Sequence, residues 1–127
     1  MSMALTFWNL PQALIERFPE ISASVEEALA VANRDASKPY PHAFLEEYFL
    51  PLLVRSVAEP GRLAERGFRF LEEMLASGDE DLVGAVLLNV IEPLTGKEQR
   101  LAAAWAYMGE RTRSWATELG HRHRGLC

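Results

Sequence analysis

Residues 68–94, "FRFLEEMLASGDEDLVGAVLLNVIEPL", constrain the fold more than any other part of this 127-residue chain. On the N-terminal side, from residue 60 to 76, Leu63, Ala64, Gly67, Leu71, Met74 and Leu75 recur at helical spacing. Such a stripe must be buried against something. Gly67, within it, lets a neighbouring element approach closely. The opposite face carries Glu65, Arg66, Arg69, Glu72 and Glu73, where Glu65–Arg69 and Arg69–Glu73 have the spacing of i,i+4 ion pairs. "SGDED" then turns the chain. Asp79 is suited to cap a new helix, and Glu80 and Asp81 fall in its first turn, where the helix dipole favours anions. From Leu82 to Ile91 the chain is apolar nearly all round, which predicts a helix covered on several sides.

A hairpin of this kind cannot stand alone, and the remaining segments supply its cover. Pro11 starts a helix through "QALIERF". Ser22 or Ser24 is placed to cap "VEEALAVANRD". "RDASKPYPH" reads as a loop, and "PHAFLEEYFLPLLVRSVAE" as a central helix with a kink or break at Pro51. Glu92-Pro93 should end the apolar helix. Thr95 and Glu98 have capping-box spacing for "RLAAAWAYM". Gly109 interrupts, and a last helix carries Thr112, Trp115, Ala116 and Leu119 before a stop at Gly120. No segment alternates with a period of two. The expected fold is all-α: one domain over residues 1–127, a compact bundle of about six or seven helices or a short HEAT-like stack of hairpins. Residues 120–127 are expected to form a flexible tail. "FLEEYFL" at 44 and "FLEEMLA" at 70 echo one another, which hints at an internal repeat.

Charge narrows the partner. Thirteen basic against 18 acidic side chains give −5, and the imbalance is concentrated in the body. Residues 1–96 hold 7 basic and 15 acidic groups, whereas residues 97–127 hold 6 and 3. An acidic surface repels phosphates, so nucleic acid is disfavoured and a basic protein is the expected partner. The sole cysteine, Cys127, excludes an intramolecular disulfide and fits a reducing compartment. The opening "MSMALTFWNLPQ" lacks the basic start of a signal peptide, and the longest apolar run is too short to span a bilayer. A cytoplasmic protein, without a membrane partner, is expected.

The hairpin segment, within a match extending over about residues 44–119, resembles the core of a family of short bacterial proteins of largely unassigned function. It is similar in style to a HEAT-type helical pair, although Gly84 stands where such a helix more often carries a larger residue. The resemblance implies an immunity-type protein that neutralises a toxin.

Catalytic and metal chemistry find little support. The pairs Glu26/Glu27, Glu46/Glu47 and Glu72/Glu73 lack the two inward E-x-x-H motifs of a di-metal bundle. His121, His123 and Cys127 provide three ligand types near one end, short of a closed tetrahedral site. His42 has no triad partner set by sequence, and "LTGKEQ" lacks the first glycine of a phosphate loop. No catalytic residue, metal or cofactor is therefore expected. The expected partner-binding residues are Glu46, Glu47, Glu72, Glu73, Glu80 and Asp81, forming an acidic face. The alternative is a small enzyme or ligand-binding bundle with a pocket near Asn89, Glu92, Trp105 and Tyr107. Asn89 and Glu92, polar groups on or ending an apolar helix, need partners if buried: most often a backbone carbonyl or an arginine such as Arg100, and only occasionally a ligand. A homodimer built on the tryptophans is the third option.

Overall fold

A computed structural model of the chain describes residues 4–34, 41–59 and 61–125, with side chains described as far as residue 120. Seven helices account for nearly all of them: α1 (Leu10–Arg17), α2 (Pro19–Arg34), α3 (residues 41–58), α4 (Arg62–Leu75), α5 (residues 80–95), α6 (Glu98–Trp105) and α7 (Glu110–Gly125). The described residues contain no strand. Most of the loop expected over residues 34–42 lies outside them. No helix among them is long and apolar enough to cross a membrane.

α3 and α5 share an irregularity. Each passes through a five-residue π-turn, Leu45–Phe49 in α3 and Leu87–Ile91 in α5. Each π-turn is followed, two residues on, by a proline: Pro51 in one helix, Pro93 in the other. The residue just before each proline donates its N–H five positions back, Leu50 to the Leu45 carbonyl and Glu92 to the Leu87 carbonyl. A proline in a regular helix lacks the N–H for its i−4 partner and its ring collides with that carbonyl. Widening the turn by one residue shifts the carbonyl that the ring would meet, so neither helix stops at its proline. Of the kink or break expected at Pro51, the break does not occur, and the expected end at Glu92-Pro93 is corrected, since α5 runs past it to Thr95. The π-turns also pack against one another. Phe44–Glu47 forms part of this structure while Phe70–Glu73 lies in regular helix, so the FLEE echo does not mark equivalent positions. The two proline-linked π-turns do.

The core gathers Leu10, Leu14, Phe18, Leu45, Phe49, Leu52, Leu53, Phe68, Phe70, Leu71, Met74, Leu82, Val86, Val90 and Ile91. Phe18, Phe49 and Phe70 meet edge-to-face with centroids 5.4–5.7 Å apart, a favoured arrangement of aromatic quadrupoles. α4 presents its expected stripe inward, and α3 comes close at Gly67. A Cβ there would stand 2.6 Å from a methyl carbon of Leu53.

The helix ends partly depart from the sequence reading. α2 starts at Pro19, so Ser22 lies inside it and its hydroxyl bonds back to the Pro19 carbonyl at 3.3 Å. No Thr95–Glu98 capping box forms. Lys97 occupies the cap position of α6, and the Thr95 hydroxyl donates to the Glu92 carbonyl at 2.9 Å, closing α5 instead. Gly120 does not end α7, which continues to Gly125. At α5 the expected cap is present: Asp79 Oδ1 accepts from the N–H groups of Asp81 (3.0 Å) and Leu82 (3.2 Å).

Candidate functional site

The six acids named from sequence divide by what their carboxylates touch. Glu72 is half-buried, and its carboxylate reaches the start of α7. Its Oε1 accepts from the Arg111 N–H at 2.9 Å, and its Oε2 from the Thr112 N–H at 2.8 Å and hydroxyl at 2.6 Å. Glu72 therefore caps a helix 39 and 40 residues away in sequence. Gly109 makes room for it, since a Cβ there would lie 2.4 Å from the Glu72 carboxyl carbon. Burial pushes the Glu72 carboxyl upward, but the bonds from Thr112 and Arg111 outweigh it and hold its pKa below the ordinary glutamate value. Glu73 pairs with Arg17 of α1 at 2.9 Å, so its partner is across the bundle and not Arg69. Glu46, Glu47, Glu80 and Asp81 are exposed and make no ion pair among the described residues.

A second acid tied into the fold is Asp79. Besides capping α5, its Oδ2 accepts the Phe7 N–H at 2.9 Å, pinning the segment before α1 to the α4–α5 turn. That bond, followed by those from Leu82 and Asp81, lowers its pKa against a smaller opposing effect of burial.

The four residues of the alternative pocket are engaged with different neighbours. Asn89 Nδ2 donates to the Ala85 carbonyl at 2.8 Å and meets His42 Nδ1 at 2.7 Å, which meets its need for a buried partner. Arg100 reaches the Pro93 carbonyl at 3.5 Å instead. Trp105 is exposed beneath the Arg113 guanidinium, 5.3 Å from its ring, and its carbonyl accepts from the same group. Tyr107 stacks on Phe68 with centroids 6.0 Å apart. Glu92 is half-buried near the end of α5. Among the described residues, no three His, Cys, Asp or Glu side chains converge as a metal site. The side chains of His121, His123 and Cys127 lie outside them.

Sequence reasoning passed over three features. His42, which has no triad partner set by sequence, joins α3 to α5 through Asn89 and lies edge-to-face with Phe7. Arg17 and Arg66 lie over Phe70 and Phe18 at 5.5 and 5.8 Å, and with Arg69 they line a small niche on an otherwise acidic body. Arg66 also pairs with Glu20, which lowers the Glu20 pKa. Finally, Leu88 is 56% exposed in the middle of the most apolar helix.

The model of one family, described as "Domain of unknown function (DUF7674)", matches residues 11–124. The chain belongs to this family. No curated protein and no solved structure matches it. The matched span of this DUF7674 domain runs from α1 into the last residues of α7, so the Glu72–Thr112 cap, the paired π-turns and the exposed acids all lie within it.

Proposed function

We propose that this domain is a non-catalytic protein-binding module whose exposed acids cover a basic surface of a partner, in the manner of an immunity or antitoxin-like protein. One observation carries the reading: Glu46, Glu47, Glu80 and Asp81 stay exposed without an ion pair among the described residues, while Glu72, Glu73 and Asp79 are bonded into the fold. Unpaired like charges on a surface attract an oppositely charged partner and speed the encounter. The cytoplasm is the compartment this reading assumes, on the strength of the single cysteine and the apolar-run lengths. The ligand-pocket alternative is less well supported, because Asn89, Trp105 and Tyr107 already spend their contacts on separate neighbours.

The test is capture of partners on the immobilised domain from the source organism, then association kinetics for the captured protein. The expected result is one dominant basic protein whose association slows when Glu46 and Glu47 are reversed to lysine. A partner whose association rate ignores that reversal would refute the acidic-surface reading.

A further inference from the structure

The outer face of α5 combines four features that have no common structural cause. Gly84 sits inside the helix, where glycine is a poor choice because of its backbone freedom. Nothing in the fold requires it, since an added Cβ would meet no atom within 4 Å and its φ is not positive. One turn on, Leu88 is 56% exposed. The π-turn that begins at Leu87, set by Pro93, widens the helix at that same point. Acids stand at both ends of the stripe: Glu80 and Asp81 before it, Glu92 after it. Asp81, Gly84, Leu88 and Glu92 follow one another at spacings of three, four and four, so they share a face, with half-buried Val83 and Leu87 at its shoulder.

A single exposed leucine is ordinary. A leucine beside a glycine that the fold does not need, with carboxylates at either end, is a less ordinary combination. Removing a side chain at Gly84 lets a partner main chain come close, as small residues do wherever helices approach tightly. We propose that the Gly84–Leu88 stripe of α5 is the seat of a basic amphipathic helix from a partner protein. A second copy of this chain fits poorly: an antiparallel pairing sets Asp81 against Glu92 of the other copy, and a parallel one sets each acid against itself, so like charges oppose in either case. A helix with an apolar ridge and lysines or arginines at both flanks satisfies the leucine, the glycine and the acids together. This inference rests on the protein-binding reading above and names the face and the partner chemistry.

The test uses a synthetic Leu/Lys amphipathic peptide of about 18 residues, long enough to be helical and to pass both ends of a stripe about 17 Å long. A scrambled peptide of the same composition is the control, with fluorescence anisotropy at low and moderate salt as the readout. The amphipathic peptide is expected to bind the full chain roughly tenfold or more tightly than the scramble. Gly84→Leu, which puts a side chain in the way, and Leu88→Gln, which removes the anchor, should each weaken it by about tenfold, the scale of losing a central interface contact. Gly84→Leu and Leu88→Gln both change exposed positions, so each should keep the wild-type thermal midpoint, which separates lost binding from lost folding. Equal binding of peptide and scramble, or wild-type binding by both variants, overturns the proposal. Loss of binding on reversing Glu46 and Glu47 but not on changing Gly84 or Leu88 overturns the stripe and leaves the acidic-surface reading standing. A dimer by sedimentation that Leu88→Gln dissolves overturns the choice of a basic partner.

Discussion

The Glu72 carboxylate holds the first turn of α7 through Thr112, taking both its backbone N–H at 2.8 Å and its hydroxyl at 2.6 Å. Thr112 is fully buried, so the hydroxyl has no water to fall back on. α7 is thus attached to α4 by a polar clasp at its start, and further along Ala116 is buried in the core with Trp115 and Leu119 packed against it. Truncating the clasp leaves the Thr112 N–H and hydroxyl, both part-buried, without their acceptor, whereas the Arg111 N–H is exposed to water. Glu72→Ala should cost about 2 kcal/mol, at the upper end for a helix cap. Chemical denaturation measures it, and amide exchange should quicken first at Arg111 and Thr112. Unchanged stability would mean that α7 is held by its apolar side alone.

Two carboxylates tied into the fold, Glu72 and Asp79, should make stability sensitive to acid. Glu72 and Asp79 both have folded-state pKa values below their ordinary ones. Their contribution is therefore complete above the unfolded carboxylate range and is lost as pH falls through the lowered folded values. Stability should decline as pH drops below the ordinary carboxylate range. Glu72→Gln with Asp79→Asn should flatten that decline, which urea melts at a series of pH values can follow. An equally steep decline in the double variant would assign acid sensitivity to other groups.

Asp79→Ala removes a cap of α5 and also the acceptor for Phe7, so its cost should reach about 2 kcal/mol, beyond the ~1 kcal/mol typical of a cap alone. Phe7 lies edge-on to both Trp8 and His42. Its release should therefore also alter tryptophan fluorescence, and a variant with unaltered emission would show that the Asp79–Phe7 bond is dispensable.

Two glycines should respond oppositely to one change. Gly67→Ala drives a methyl group to within 2.6 Å of Leu53, a fully buried side chain in a packed core, and should cost about 1–3 kcal/mol. Gly84→Ala meets nothing and removes glycine's helix penalty, so it should stabilise by about 0.5–1 kcal/mol. Thermal melts of the pair decide it, and destabilisation at Gly84 would show that the backbone there depends on glycine.

What could be read from the sequence tracks how local the cause is. Gly67 and Asp79 were legible because an apolar stripe and an acid before a helical run act within a few residues. The all-helical class followed from the same short-range periodicity. Glu72 was not legible as a cap, because its partner stands 40 residues away and its own helix places it among surface acids. The prolines misled for a different reason. Pro51 and Pro93 do forbid a regular helix, but widening the turn before each one satisfies the chain without a break, and the packing of one π-turn on the other favours that solution. Leu88 was hidden by composition, since an apolar helix gives no sign of which side its neighbours leave open.

The division among the acids decides how the proposed function should be probed. Reversing Glu72 would unclasp α7, and reversing Glu73 would break its pair with Arg17 at 2.9 Å, so either change confounds binding with folding. Glu80 and Asp81 occupy the first turn of α5, where lysines would oppose the helix dipole by about 0.3–1 kcal/mol each. Neutral glutamine and asparagine are the better substitutions there. Glu46 and Glu47 lie in the π-turn of α3 and are exposed, so lysine is tolerable at both. The variant carrying Glu46→Lys, Glu47→Lys, Glu80→Gln and Asp81→Asn should keep its helicity, and its melting temperature should stay close to that of the wild type. Against a basic partner, its association should slow by about tenfold or more at low salt, and the difference should shrink as added salt screens the charges. Surface-plasmon kinetics at two ionic strengths measures both effects. An association rate equal to wild type at low salt would remove the acidic surface from the mechanism.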